Sequence, residues 1–158
     1  MAVIKDLEEL STDIDTARVG FFNEYKFGYL GEVNAYHKTS YPLMVLTPPM
    51  SVFTNPYKND EEFSLRFYLY KPVEIVRDDD GGQTLMQINT TMLERSFDAL
   101  QSQFVSTMDV LLKNNEHKYI MNGSWNIERV SDEHNDKLVG LVIDIKLQKF
   151  SHCLPLSN

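Results

Sequence analysis

The sequence predicts an α+β domain: a four-stranded, mostly antiparallel sheet with two helices on one face, in the order α-β-β-α-β-β. Three observations predict it. Over residues 137–149, Val139, Leu141, Ile143, Ile145 and Leu147 fall on one side of a strict alternation, the signature of a strand with one buried face. Residues 2–23 and 85–114 carry apolar side chains at helical three-and-four spacing. The chain has 158 residues, enough for one core and short for two, so residues 1–158 are read as a single domain.

The first element is a helix over 2–23. Leu7, Leu10, Ile14, Ala17 and Phe21 form its apolar stripe, and Asp6, Glu8, Glu9, Asp13, Asp15 and Arg18 fall mostly off it. Such a stripe suits a helix lying on a sheet; it is too short for a coiled coil. Residues 24–40, with Gly28, Gly31, Tyr25, Phe27, Tyr29 and Tyr36, read as an ordered loop pinned by aromatics. A short strand follows over 41–47, stopped by Pro48 and Pro49, which donate nothing to a ladder. Residues 48–62 then read as an extended arm, too long for a tight hairpin. The next strand covers 63–76, with Phe63, Leu65, Phe67 and Leu69 inward and Ser64, Arg66, Tyr68 and Tyr70 outward. Asp78, Asp79, Asp80, Gly81 and Gly82 make a turn.

The second helix, 85–114, carries the stripe Leu93, Phe97, Leu100, Phe104, Met108 and Leu111. Lys113 complements the dipole at its C-terminus. Strands over 118–130 and 137–149 close the chain, joined by the polar turn 131–136.

Composition narrows the function classes. Net charge is −8, with 15 basic residues against 23 acidic ones. Gripping nucleic acid takes clustered Lys and Arg, and here they are scattered. The single cysteine, Cys153, cannot form an intrachain disulfide. Asp6, Glu8 and Glu9 do not fit a signal peptide, and no apolar run approaches the roughly 20 residues of a membrane helix. The expected setting is the cytoplasm in which the chain is made, with no membrane partner.

No chemical motif emerges. Asp78–Asp80 lack the alternate spacing of a calcium loop, and position twelve counted from Asp78 is Asn89 where such a loop has glutamate. His37, His117, His134 and His152 are not at metal-ligand spacing. Gly81 and Gly82 lack the Gly-Lys-Ser/Thr of a phosphate loop. Cys153 and His152 are adjacent in an extended segment and point apart, a poor nucleophile–base pair. The carboxylates Asp132, Asp136 and Asp144 are the remaining acid–base candidates, and they read as solvated. The expectation is therefore no enzyme, no catalytic residue, no metal and no cofactor.

Order and phrasing carry a resemblance. The opening helix with its Gly/Asn-rich exit, the strand from Tyr41 to Leu46, the long second helix and the closing phrase from Asp136 to Ile145, followed by Cys153, Leu154 and Pro155, resemble the small tail-terminator or tail-completion proteins of tailed bacteriophages. The resemblance covers nearly the whole chain and contains no chemical signature. It implies a virion structural protein, a homo-oligomeric ring of six or twelve at the head–tail neck. Adjacent portal, connector or tail proteins would be its neighbours, and DNA would pass through its lumen without specific binding. An acidic surface suits such a conduit, since it repels phosphates at close range.

A ring subunit presents two different patches. The expected interface residues are Pro48, Pro49, Phe53 and Tyr57 of the arm, Tyr68 and Tyr70 of the outer strand face, and Asp132, His134 and Asp136 of the polar turn. Two other classes remain open: a cytosolic α+β adaptor that binds a protein partner along a sheet edge, and a small enzyme using loop carboxylates.

Overall fold

A computed structural model of the protein describes residues 3–28, 40–55, 60–72, 85–131 and 138–150. Among the described residues it is an α+β fold with two helices, α1 (Val3–Ala17) and α2 (Leu85–Asn114). The strands are β1 (Glu24–Phe27), β2 (Leu43–Asn55), β3 (Asp60–Pro72), β4 (Tyr119–Ser131) and β5 (Leu138–Phe150). They form one mixed sheet in the order β1-β2-β3-β5-β4. The antiparallel pair β3–β5 is its spine, in continuous register from Asp60 opposite Phe150 to Pro72 opposite Leu138.

Among the described residues the sheet has five strands where four were expected. The added strand, β1, lies in the stretch read as a loop and pairs parallel to β2, from Glu24 opposite Leu43 to Phe27 opposite Leu46. Four residues are too few for alternation to declare a strand. Tertiary contacts hold it instead: Tyr25 packs on the core, and its hydroxyl lies 2.8 Å from Ser11 Oγ on α1.

Helix α1 stops at Ala17, six residues before the expected end. Gly20, with φ of +92°, turns the chain out of the helix. Arg18 closes the corner by donating to Asp15 Oδ1 at 2.8 Å and to the Phe22 carbonyl at 2.9 Å. As a result Phe22, not Phe21, is the fully buried aromatic.

Strand β2 does not stop at Pro48 and Pro49. It runs to Asn55, and the prolines occupy a bulge between Thr47 and Ser51. Three residues, 48–50, lie opposite the single Leu65, so the ladder asks for no donor at the prolines. Of the expected arm over 48–62, residues 51–55 and 60–62 are therefore paired strand, 48–50 form the bulge, and 56–59 lie outside the described residues. Strand β3 starts at Asp60, three residues before the expected start, and the rest of the expected strand, 73–76, lies outside the described residues.

Both helices cover one face of the sheet. Leu10, Ile14 and Ala17 of α1 and Phe97, Leu100, Phe104, Met108 and Leu111 of α2 pack on Phe63, Leu65, Phe67 and Leu69 of β3 and the alternate residues Val139 to Leu147 of β5. Phe104 stands edge-on to Phe67 at 5.0 Å and to Trp125 at 5.3 Å between ring centres.

Candidate functional site

The face of the sheet turned away from the helices is the candidate site, and strand register builds it. Because successive side chains alternate sides, Leu43, Val45, Thr47, Ser51 and Phe53 of β2 share this face with Ser64, Arg66, Tyr68 and Tyr70 of β3. Gly140, Val142, Asp144, Lys146 and Gln148 of β5 continue it, followed by Ile120, Asn126, Glu128 and Val130 of β4.

A second bulge shapes the middle. On β4 the register shifts between Asn122 and Asn126, so residues 123–125 lie opposite the single Ile145. Leu65 and Ile145 are themselves cross-strand partners. The two bulges thus flank one level of the β3–β5 spine, Pro48 on one side and Ser124 on the other. Gly123, with φ of +71°, permits the second bulge. Between them lies a depression of about 580 Å³, lined mainly by apolar surface.

Its floor carries a bidentate ion pair. Arg66 and Asp144 are register partners, and the guanidinium donates to Oδ1 at 2.7 Å and to Oδ2 at 3.0 Å. The pair is about half exposed on the arginine side, so it contributes little stability. It leaves the depression close to neutral at its centre, and Asp144 is engaged rather than poised as a base. Lys146 adds a positive charge at the rim.

Towards β1 the face is apolar. Val45 and Leu43 are buried on this side under Tyr68, Tyr70 and Tyr41. Tyr70 lies over Gly140, where an added Cβ would sit 2.9 Å from Tyr70 Cε1 and 3.2 Å from the Leu69 carbonyl oxygen. Only glycine fits beneath the ring. Gly140→Ala is expected to cost about 1–3 kcal/mol by overpacking; a change in urea midpoint of the same size as for a surface substitution would contradict this contact. Towards the other end Asn122 donates to Glu62 Oε2 at 3.1 Å, and Gln148 donates to Asp60 Oδ2 at 3.3 Å, tying three strands together.

The interface residues expected from sequence distribute unevenly. Pro48 and Tyr68 line the depression, and Pro49 stands in the adjoining bulge. Phe53 is 64% exposed on the same face. Tyr70 is half-buried and works as a roof rather than a free contact. Tyr57, Asp132, His134 and Asp136 lie outside the described residues, as do Asp78–Asp80, Cys153, His37 and His152. Sequence reasoning missed the Arg66–Asp144 pair, although both occupy outward positions of recognised strands. Pairing them needs the register between β3 and β5, which alternation alone does not supply.

Exposed apolar groups stand on this face, as Val19, Phe27 and Val105 do elsewhere. Ile120 and Val130 of β4 and Phe53 of β2 are large, exposed hydrophobics on this one face. Among the described residues no group of three or more His, Cys, Asp or Glu is placed to hold a metal, and no helix is long and apolar enough to cross a membrane. What the arrangement offers chemically is apolar area, a fixed ion pair and a shaped hollow. No family model matches the chain, and no curated protein matches it in sequence.

Proposed function

We propose that the protein is an assembly subunit, a ring-forming structural component of the head–tail junction of a tailed bacteriophage. The observation that carries the assembly reading is the two-faced sheet: one face is filled by both helices, and the other presents a lipped depression with Phe53, Ile120 and Val130 exposed around it. The sequence resemblance supplies the phage assignment, and the core order α-β-β-α-β-β persists, with β1 added at an edge. In this reading subunits meet through the open face and the sheet edges, six or twelve to a ring. DNA passes through the lumen without being gripped, as the net charge of −8 favours.

A second reading has its own support. Among the described residues the outer edge of β4 pairs with no strand over its 13 residues, and such an edge accepts an added strand from a partner. This is the adaptor reading, in which the chain stays monomeric or dimeric and captures a protein along β4.

A substitution on the bulge of β4 tests the first reading. Ser124 is exposed and lines the depression, so Ser124→Trp fills the hollow without touching the helix-side core. The variant is expected to keep its circular dichroism and urea midpoint and to lose ring assembly in cross-linking and electron microscopy. Rings formed by Ser124→Trp as readily as by the unaltered protein would remove the open face from the interface. Deleting residues 48–62 is a poor alternative, because it removes paired strand.

A further inference from the structure

The helix-covered face ends in a row of polar side chains that the open-face site does not use. Glu61 of β3 and Lys149 of β5 are register partners, and Tyr119 of β4 is the partner of Lys149 on its other side. All three are inward-facing continuations of apolar alternation, two positions before Phe63 and two after Leu147 in β3 and β5. All are buried: Glu61 is 3% exposed and Lys149 1%.

Helix α1 lies over this row with three carboxylates. Lys149 Nζ donates to Asp6 Oδ1 at 2.7 Å and to Glu9 Oε2 at 2.8 Å. Lys118, in the turn before β4, bonds Glu9 and also Asp13, the latter at 2.6 Å. Tyr119 donates its hydroxyl to the same Asp13 oxygen at 2.5 Å. Every carboxylate of α1 in this cluster is thus engaged by a donor. Glu61 differs: Asp6 and Lys149 face it, and its Oε2 is buried without a hydrogen-bond partner.

Among the described residues Asp6, Glu9, Asp13 and Glu61 stand against Lys118 and Lys149; of these acids Glu61 alone is fully buried, and Glu9 is half-exposed. Charging a buried carboxyl beside a second carboxylate is costly, and a proton on the buried group relieves it. We propose that Glu61, facing Asp6, is a proton-operated latch that holds α1 on the sheet: it is closed when Glu61 carries its proton and weakened when Glu61 is charged.

The direction of the pH dependence follows. Burial, then the Asp6 carboxylate beside it, push the Glu61 carboxyl up from 4.5 to about 7. A raised folded-state value means that the closed form holds the proton while the open form releases it. The stabilisation is full below 4.5, is lost as pH rises towards 7, and the loss is complete above 7. Glu9 acts with the opposite sign. Hydrogen bonds from Lys118 and Lys149 hold it below the usual carboxylate range, so its contribution is lost only as pH falls below that range. The latch is therefore tightest in mildly acidic solution.

Amide hydrogen exchange on the full chain, corrected for intrinsic rates, tests this. In α1 the opening equilibrium is expected to rise by about tenfold per pH unit between pH 5 and 7 and to level off above, as one-proton linkage requires. Glu61→Gln mimics the protonated acid and should flatten this profile, with α1 protected throughout. Asp6→Asn removes the facing charge, should also flatten it, and serves if the first variant folds poorly. Exposed His117, in the turn before β4, remains in both variants, so any signal from it would persist. Amides of α2 act as the internal control and should show no such slope. A flat α1 profile in the unaltered protein, an unchanged slope in Glu61→Gln, or an equal slope in α2 would each overturn the latch.

Discussion

Replacing Lys149 with Ala is expected to lower stability by about 3–5 kcal/mol, because it strands the largely buried Asp6 carboxylate without its cation. The ammonium is the hub of the polar row under α1. Its side chain is 2% exposed and it bonds Asp6 and Glu9 at 2.7 and 2.8 Å. Removing it leaves Asp6 with no basic donor among the described residues, while Glu9 keeps only Lys118. The cost measures an uncompensated buried charge, not the net worth of the ion pair. Lys149→Met, which restores the aliphatic volume but not the charge, should cost nearly as much. The contrast is with Arg66→Ala, whose half-exposed pair with Asp144 is worth less than about 1 kcal/mol. Urea midpoints with unchanged slopes would measure all three. A Lys149→Ala loss as small as that of Arg66→Ala would mean that water reaches the cluster.

The second large effect is at Phe104. Truncation to Ala is expected to cost about 3–5 kcal/mol, from lost transfer energy and the cavity left behind. Phe104 is fully buried and fills the space between Phe67 on the sheet and Trp125 on the β4 bulge. Trp125 is the single tryptophan, so its fluorescence reports the same event locally. The emission should shift to the red in Phe104→Ala as its packed neighbour is lost. An unshifted spectrum with a small stability change would show that the site collapses around the missing ring.

The two effects together show what alternation and periodicity can and cannot disclose. Helix α2 and strands β4 and β5 were legible because long repeats bury one face, and a long repeat leaves little room for error. Phe104 was visible as one of a stripe. Lys149 was not, although it continues the inward series of β5, because a lysine reads as the wet end of a strand. Only the carboxylates of α1, more than 130 positions away, make its burial tolerable. Strand β1 is too short to show a period, and Gly20 ends α1 within a stretch whose apolar spacing continues to Phe21. Pro48 and Pro49 suggested a stop because a central ladder excludes proline; the bulge lifts that exclusion.

The open face was half legible. Outward Tyr68 and Tyr70 followed from alternation in β3. Their partners Val45, Leu43 and Gly140 depend on register across three strands, so the tyrosine roof and the depression beside it could not be read from the chain alone. The paired bulges at one level of the spine depend on it in the same way.

The central claim is that this sheet face serves assembly, and the most direct measurement is the native mass of the purified protein across a micromolar concentration series. The account predicts closed rings of six or twelve subunits of 18.3 kDa each, alone or after addition of phage particles lacking the protein. A mass that stays at one subunit at every concentration and never transfers to particles would contradict it.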